Sequence, residues 1–330
     1  MNAGVAKGIE KLNNTYGANK IIATTIEMGT NQSNWETTLY RVSQQNYDLI
    51  ICATTQIREP LQRVAARYPD KKYIIFDSEI EDGKASNYKN IHSILFRQNE
   101  GGFLAGVLAA KIANGSSHIE GPISNTNKVG FIGGMRNNII YDFAVGYASG
   151  IKYVNENESS NVTLMTSFVG NFNDSTQAKA LASMQYTSGA DIIFQAASQA
   201  GLGVIDAAQT QKKFVIGVDS DQYMYYETSN PTRAQYIMTS VIKSVEDVIF
   251  DSVTDFLEGT LEYATLKSYG LKEGIIDLAF NNYFETITPN ELKTYLLDLK
   301  TSILNGDLSV TSRFDLSLDE VEALFKSLKG

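Results

Sequence analysis

Carboxylates, an aromatic ring and a lysine recur in this sequence at or just past the ends of apolar runs, where they could hold a polar ligand. The run Phe214–Val218 leads straight into Asp219-Ser220-Asp221-Gln222. The run Lys72–Phe76 stops at Asp77, and Val162–Ser167 is followed by Gly170-Asn171-Phe172-Asn173-Asp174. Lys243 joins the set near the start of a helical stretch. A carboxylate so placed accepts hydrogens from a sugar diol or a purine edge, and charge-assisted bonds of that kind are the strong ones. A flat ring stacks on a base, and an ammonium group donates back to the diol. Each residue also has a plain structural role open to it: Asp219 as a turn or helix cap, Phe172 as core, Lys243 as a solvated helix residue. Their shared topological position is what favours a polar, ring-bearing ligand.

Other chemistries fit less well. Gly130-Phe131-Ile132-Gly133-Gly134 lacks the spacing of a dinucleotide-binding turn, and a tight strand-to-helix turn is the better reading. Asp219 and Asp221 could suggest glycosidic chemistry, but they lie in one acidic turn and nothing else in the sequence supports that chemistry. Nucleoside hydrolysis through bound calcium needs a larger cluster of oxygen ligands. The two histidines, His92 and His118, are far apart, which disfavours a metal site or a Ser–His–Asp triad. The single cysteine, Cys52, lies inside the apolar run Leu49–Ala53 and reads as a small core residue. These observations predict no catalysis, no cofactor and no metal.

The elements that would position these residues alternate. Strands are predicted at Lys20–Thr25, Asp48–Ala53, Lys72–Phe76, Ile91–Phe96, Lys128–Ile132, Val162–Ser167, Asp191–Phe194 and Phe214–Val218, with short ones near Ala264–Ser268 and Gly274–Ala279. Helices are predicted around Val5–Leu12 and at Trp35–Gln44, Glu59–Tyr68, Glu100–Ile112, Ile139–Val154, Ala178–Tyr186, Gly203–Gln211, Ser240–Leu257, Pro289–Leu304 and Leu318–Leu328. Alternation of this kind signals parallel sheets with right-handed crossovers. Parallel sheets present ligands at the carboxyl ends of their strands. At 330 residues the chain exceeds one ordinary core, so two α/β lobes facing a shared cleft are expected. A hydrophobic content of 43% and a charged content of 20% are those of a globular protein. The net charge of −9 argues against nucleic acid, whose phosphates need a basic surface.

Several stretches together resemble the basic membrane protein family of substrate-binding lipoproteins, the purine-nucleoside receptor A-like group. They are Glu100-Gly101-Gly102-Phe103-Leu104-Ala105-Gly106, Lys128–Gly134, Gly189-Ala190-Asp191-Ile192-Ile193-Phe194, Gly217–Gln222 and Thr239-Ser240-Val241-Ile242-Lys243. The resemblance implies a two-lobe type I periplasmic-binding-protein fold, with parallel sheets, flanking helices and the ligand cleft between lobes. Lobe one would comprise 1–97 plus 239–262, and lobe two 98–238 plus 263–330. It implies a monomer that binds a purine nucleoside (adenosine, guanosine or inosine) and serves the permease of an ATP-binding-cassette importer. In such proteins an N-terminal lipid provides the only membrane tether, on the extracytoplasmic side. Matched residue by residue, Asp77 would read the purine edge and Phe172 would be one of two aromatics sandwiching the base. Asp219 and Lys243 would bind the ribose, Asn2 would stand for the family's asparagine, and Ala197 would lie in the loop beside the sugar.

Met1 stands where the family has the second aromatic, and the resemblance places a first strand, a signal and a lipidation cysteine upstream of it. The chain is therefore expected to start downstream of the natural start, with weakened binding and exposed backbone edge as consequences. The tail from about Ile287 exceeds what the binding fold requires and is expected to pack on lobe two. A ligand-sensing or regulatory module of the same fold, or a nucleoside-processing enzyme, are the alternative readings.

Overall fold

The computed structural model describes residues 2–17, 19–29, 31–80 and 88–330, the side chains of 2 and 3 excepted. It divides into two compact units, residues 1–96 with 245–269 and residues 97–244 with 270–330.

In the first unit, helices α1 (Asn2–Tyr16), α2 (Trp35–Ser43) and α3 (Arg58–Arg67) accompany strands β1 (Leu49–Ala53), β2 (Lys72–Phe76) and β3 (Ile91–Phe96). The sheet order is β1-β2-β3-β9, all parallel, with β9 (Thr265–Tyr269) contributed after the chain returns. Every residue of β3 is buried, as a strand covered on both faces requires. Leu61 and Val64 of α3 close over Ile50, Cys52, Tyr73 and Ile75. Lys20–Thr25 forms no strand, and Ile22 is 84% exposed. The stretch has β-branched residues, but strand propensity is realised only against a paired neighbour, and β1 has one neighbour, β2, among the described residues.

The second unit begins with α4 (Gln98–Ala113), then β4 (Lys128–Gly133), α5 (Asn138–Asn157), β5 (Thr163–Phe168), α6 (Ser175–Thr187), β6 (Ile192–Ala196), α7 (Gly201–Gln211) and β7 (Phe214–Asp219). The short helix α8 (Pro231–Ala234) and strand β8 (Ile237–Lys243) follow, and α9 (Val245–Glu258) belongs to the first unit. After β9 the chain adds β10 (Ile276–Leu278) and helices α10 (Asn282–Ile287), α11 (Asn290–Asn305) and α12 (Leu318–Ser327). The sheet runs β10-β8-β7-β6-β4-β5, parallel throughout except for β10.

Side chains alternate across this sheet. Phe131, Phe194, Phe214 and Ile216 face the core shared with α4, α5 and the C-terminal helices. Ile132, Ile193 and Val215 face the other way, onto α6 and α7. The tail joins the first of these cores through Leu292, Leu296, Leu299, Val321 and Phe325.

Two boundaries differ from the sequence reading. Residues 239–243 are strand, not the start of a helix, because Ile237–Lys243 is almost wholly buried and hydrogen-bonds between β7 and β10. The chain consequently enters the first unit at 245 rather than 239, and leaves it after β9 at 269 rather than 262.

Candidate functional site

Five parallel strands of the second unit end along one edge, and four of the residues expected to bind ligand lie there. β7 and β8 run side by side with Asp219 in register with Ile242, and Lys243 is the next residue, the last of β8. Lys243 is 4% exposed. Asp219 is partly buried, and no hydrogen bond or ion pair engages its carboxylate among the described residues. Its φ of 69° is left-handed, a region that side chains other than Asn and Asp seldom adopt. The turn that follows is held from beneath by buried amides. Gln222 donates its backbone N–H to Ser240 Oγ at 3.0 Å and accepts from Gln195 Nε2 at 2.8 Å. Gln195 Oε1 in turn accepts from the Ala197 N–H at 3.1 Å. One chain of hydrogen bonds therefore fixes the ends of β6, β7 and β8 together.

Asp221 behaves differently from Asp219. Asn281 Nδ2 donates to both its carboxylate oxygens, at 3.0 and 2.9 Å, so this residue anchors the start of α10. The two aspartates do not form a catalytic pair. Burial pushes the Cys52 thiol up to about 12, so it supplies no thiolate at neutral pH.

Phe172 lies four residues past β5, in a turn where Asn171 Oδ1 accepts from the N–H groups of Asn173 and Asp174 at 2.8 and 2.7 Å. Its ring covers Gly134, just past the end of β4: a Cβ on that glycine would fall 2.3 Å from Phe172 Cδ1. The same point lies 3.3 Å from the Ala197 Cα, so Phe172, Gly134 and Ala197 form one cluster. Ala197 is fully buried and presents its side chain to the core shared with α7.

Asp77 lies in the first unit, immediately past β2, 2% exposed and with a left-handed φ of 56°. Its carbonyl accepts from Thr55 Oγ1 at 3.3 Å. Asn2 opens α1, and its side chain lies outside the described residues. The sequence reading did not single out Gln195, Gln222 or Thr54. Gln195 lies in no quoted stretch and Gln222 only closes the Gly217–Gln222 stretch; their hydrogen-bonding roles arise from strand register. Thr54 looks like an ordinary residue after a strand.

An α/β chain whose parallel strands gather acidic, aromatic and basic side chains at their carboxyl edges belongs structurally with solute-binding proteins. Comparison with known proteins makes this specific. A family model described as ABC transporter substrate-binding protein PnrA-like matches residues 1–313. The nucleoside-binding protein BmpA of an ABC transporter in Lactococcus lactis subsp. cremoris is 31% identical over 291 residues, covering 85% of this chain and 76% of the relative. Basic membrane protein A2 of Borrelia garinii subsp. bavariensis is 30% identical over 312 residues, covering 94% and 83%. Among solved structures, an ABC transporter solute-binding protein from Aeropyrum pernix K1 superposes with a TM-score of 0.84 at 25% identity, covering 99% of this chain and 92% of the other. A transcriptional activator of the comK gene from Bacillus halodurans shares the fold at a TM-score of 0.70 and 20% identity.

The chain belongs to the PnrA-like family of ABC transporter substrate-binding proteins. Its role is to bind a solute and serve an ABC permease, and it is not an enzyme.

Proposed function

We propose that the solute is a nucleoside, and that purine nucleosides are preferred. The observation that carries this reading is that Asp219 and Lys243 end the adjacent parallel strands β7 and β8. A carboxylate acceptor next to an ammonium donor matches a vicinal diol, which offers hydroxyls able to donate to one and accept from the other. Phe172, in the same unit, supplies a flat face for a base, and Asp77, taken by itself at the end of β2, is an acceptor of the kind a purine edge needs. The name of the Lactococcus relative, a nucleoside-binding protein, supports the same ligand class.

The test is a thermal-shift screen followed by titration calorimetry against inosine, guanosine, adenosine, the free bases, ribose and amino acids. A ligand that binds only the folded chain raises its melting temperature by mass action. Purine nucleosides should raise it while ribose and the free bases do not. A response to amino acids or to hexoses alone would overturn the nucleoside reading.

A further inference from the structure

Thr54, the first residue past β1, has φ 85° and ψ 148°, close to a region that is essentially glycine's. Its Oγ1 is buried and has no hydrogen-bond partner among the described residues. Both features count against threonine in the free protein: glycine would relieve the backbone, and an apolar side chain would remove the orphaned hydroxyl. The backbone around it is firmly held. The Thr54 N–H donates to the Phe76 carbonyl at 3.0 Å, and the neighbouring Thr55 Oγ1 donates to the Asp77 carbonyl at 3.3 Å. Thr54 and Asp77 thus close two adjacent parallel strands, both with positive φ, in one hydrogen-bonded frame.

Strain and an unsatisfied hydroxyl beside a proposed ligand carboxylate point to a use for that hydroxyl. We propose that Thr54 is a specificity-determining residue whose hydroxyl hydrogen-bonds the polar edge of the base beside Asp77. This assignment rests on the nucleoside reading above. The two groups have complementary abilities. The carboxylate only accepts, so it selects an N–H edge. The hydroxyl both donates and accepts, so it meets either a carbonyl or an amino substituent on the same ring. A hydroxyl at Thr54 would then let one site accept both 6-oxo and 6-amino purines.

The experiment compares Thr54→Val, Thr54→Gly and Thr54→Ser with the parent chain, by calorimetric titration with inosine and adenosine and by melting without ligand. Valine keeps the shape and removes the hydroxyl, glycine removes the strain and the hydroxyl, and serine keeps the hydroxyl. The expected result is about three- to tenfold weaker binding of both nucleosides by the valine and glycine variants. The serine variant should stay near the parent, and the glycine variant should melt no lower than the parent. Affinities of the valine and glycine variants within about twofold of the parent would overturn the assignment. If Asp219→Ala still abolished binding in that case, the nucleoside reading would survive without Thr54. A parent chain that bound neither nucleoside would overturn both.

Discussion

At the scale of single residues, the proposed site divides its work between groups that hold a ligand and groups that hold those groups. Asp219 is the sharpest case, because its carboxylate has no partner among the described residues and it ends the strand beside β8, whose last residue is the buried Lys243. Asp219→Ala should weaken nucleoside binding by about 2–4 kcal/mol, since it removes charge-assisted bonds to the ligand. Calorimetry on the variant checks this, and an unchanged affinity would remove the ribose assignment. Phe172→Ala should cost every nucleoside alike about 1–3 kcal/mol if the ring stacks on the base. The structure adds a second route to the same loss. A methyl at Gly134 would drive into the Phe172 ring, so Gly134→Ala should displace the ring and reproduce the Phe172→Ala titration with no aromatic removed.

At the scale of elements, packing decides how precisely the strand ends are placed. Helices α4 and α5 cross in backbone contact: a Cβ at Gly106 would lie 2.1 Å from the Tyr147 carbonyl oxygen, and one at Gly146 would lie 2.1 Å from that of Asn99. The Gly- and Ala-rich composition of residues 100–112 permits this close approach. Gly106→Ala should destabilise the chain by about 1–3 kcal/mol through overpacking, read as a lowered urea midpoint with unchanged slope. Most strands could be read from the sequence because apolar, β-branched runs bounded by turn residues have few other solutions. Phe214–Val218 is of this kind, and its burial on both faces follows from its composition. Lys20–Thr25 has similar local chemistry but no ladder, and pairing is a non-local property that a propensity cannot report. Residues 240–243 fall inside the helix Ser240–Leu257 that the sequence predicts, but they are strand. Their burial between β7 and β10 settles the matter. Asp77, Phe172 and Asp219 can be picked out as strand-end residues by type and position, whereas Lys243 reads as a helix-start residue and in the structure ends β8. The amides of Gln195 and Gln222 cannot be picked out, because nothing local announces that two glutamines from distant segments will meet at 2.8 Å.

At the scale of the whole molecule, the C-terminal tail is part of the second unit's architecture. Leu328 closes the edge strand β5 by accepting the Leu164 N–H at 2.8 Å, a cap of the kind that keeps an edge from pairing elsewhere. The descending segment before α12 is pinned to α5 by Asp142, which is fully buried. Its carboxylate accepts from Ser312 Oγ at 2.7 Å, from the Arg313 N–H at 2.8 Å, from Gln98 Nε2 at 2.7 Å and from the Asn99 N–H at 3.3 Å. Burial outweighs these donors and pushes the carboxyl up to about 6. The folded chain therefore holds this proton more tightly than the unfolded chain does. The stability it contributes is complete below the ordinary value of 3.8 and is lost as pH rises through about 6. The rise from 3.8 to about 6 corresponds to at most about 3 kcal/mol. Other carboxylates titrate in the same range, so the quantity to read is a difference. Urea unfolding of the parent and of Asp142→Asn between pH 4 and pH 7 should show the parent losing stability relative to the variant as pH rises. The Asn variant starts lower, because its amide places donors against donors, but it lacks this slope. Parallel pH profiles for the two proteins would mean that Asp142 remains ionised across the range, held by its four donors.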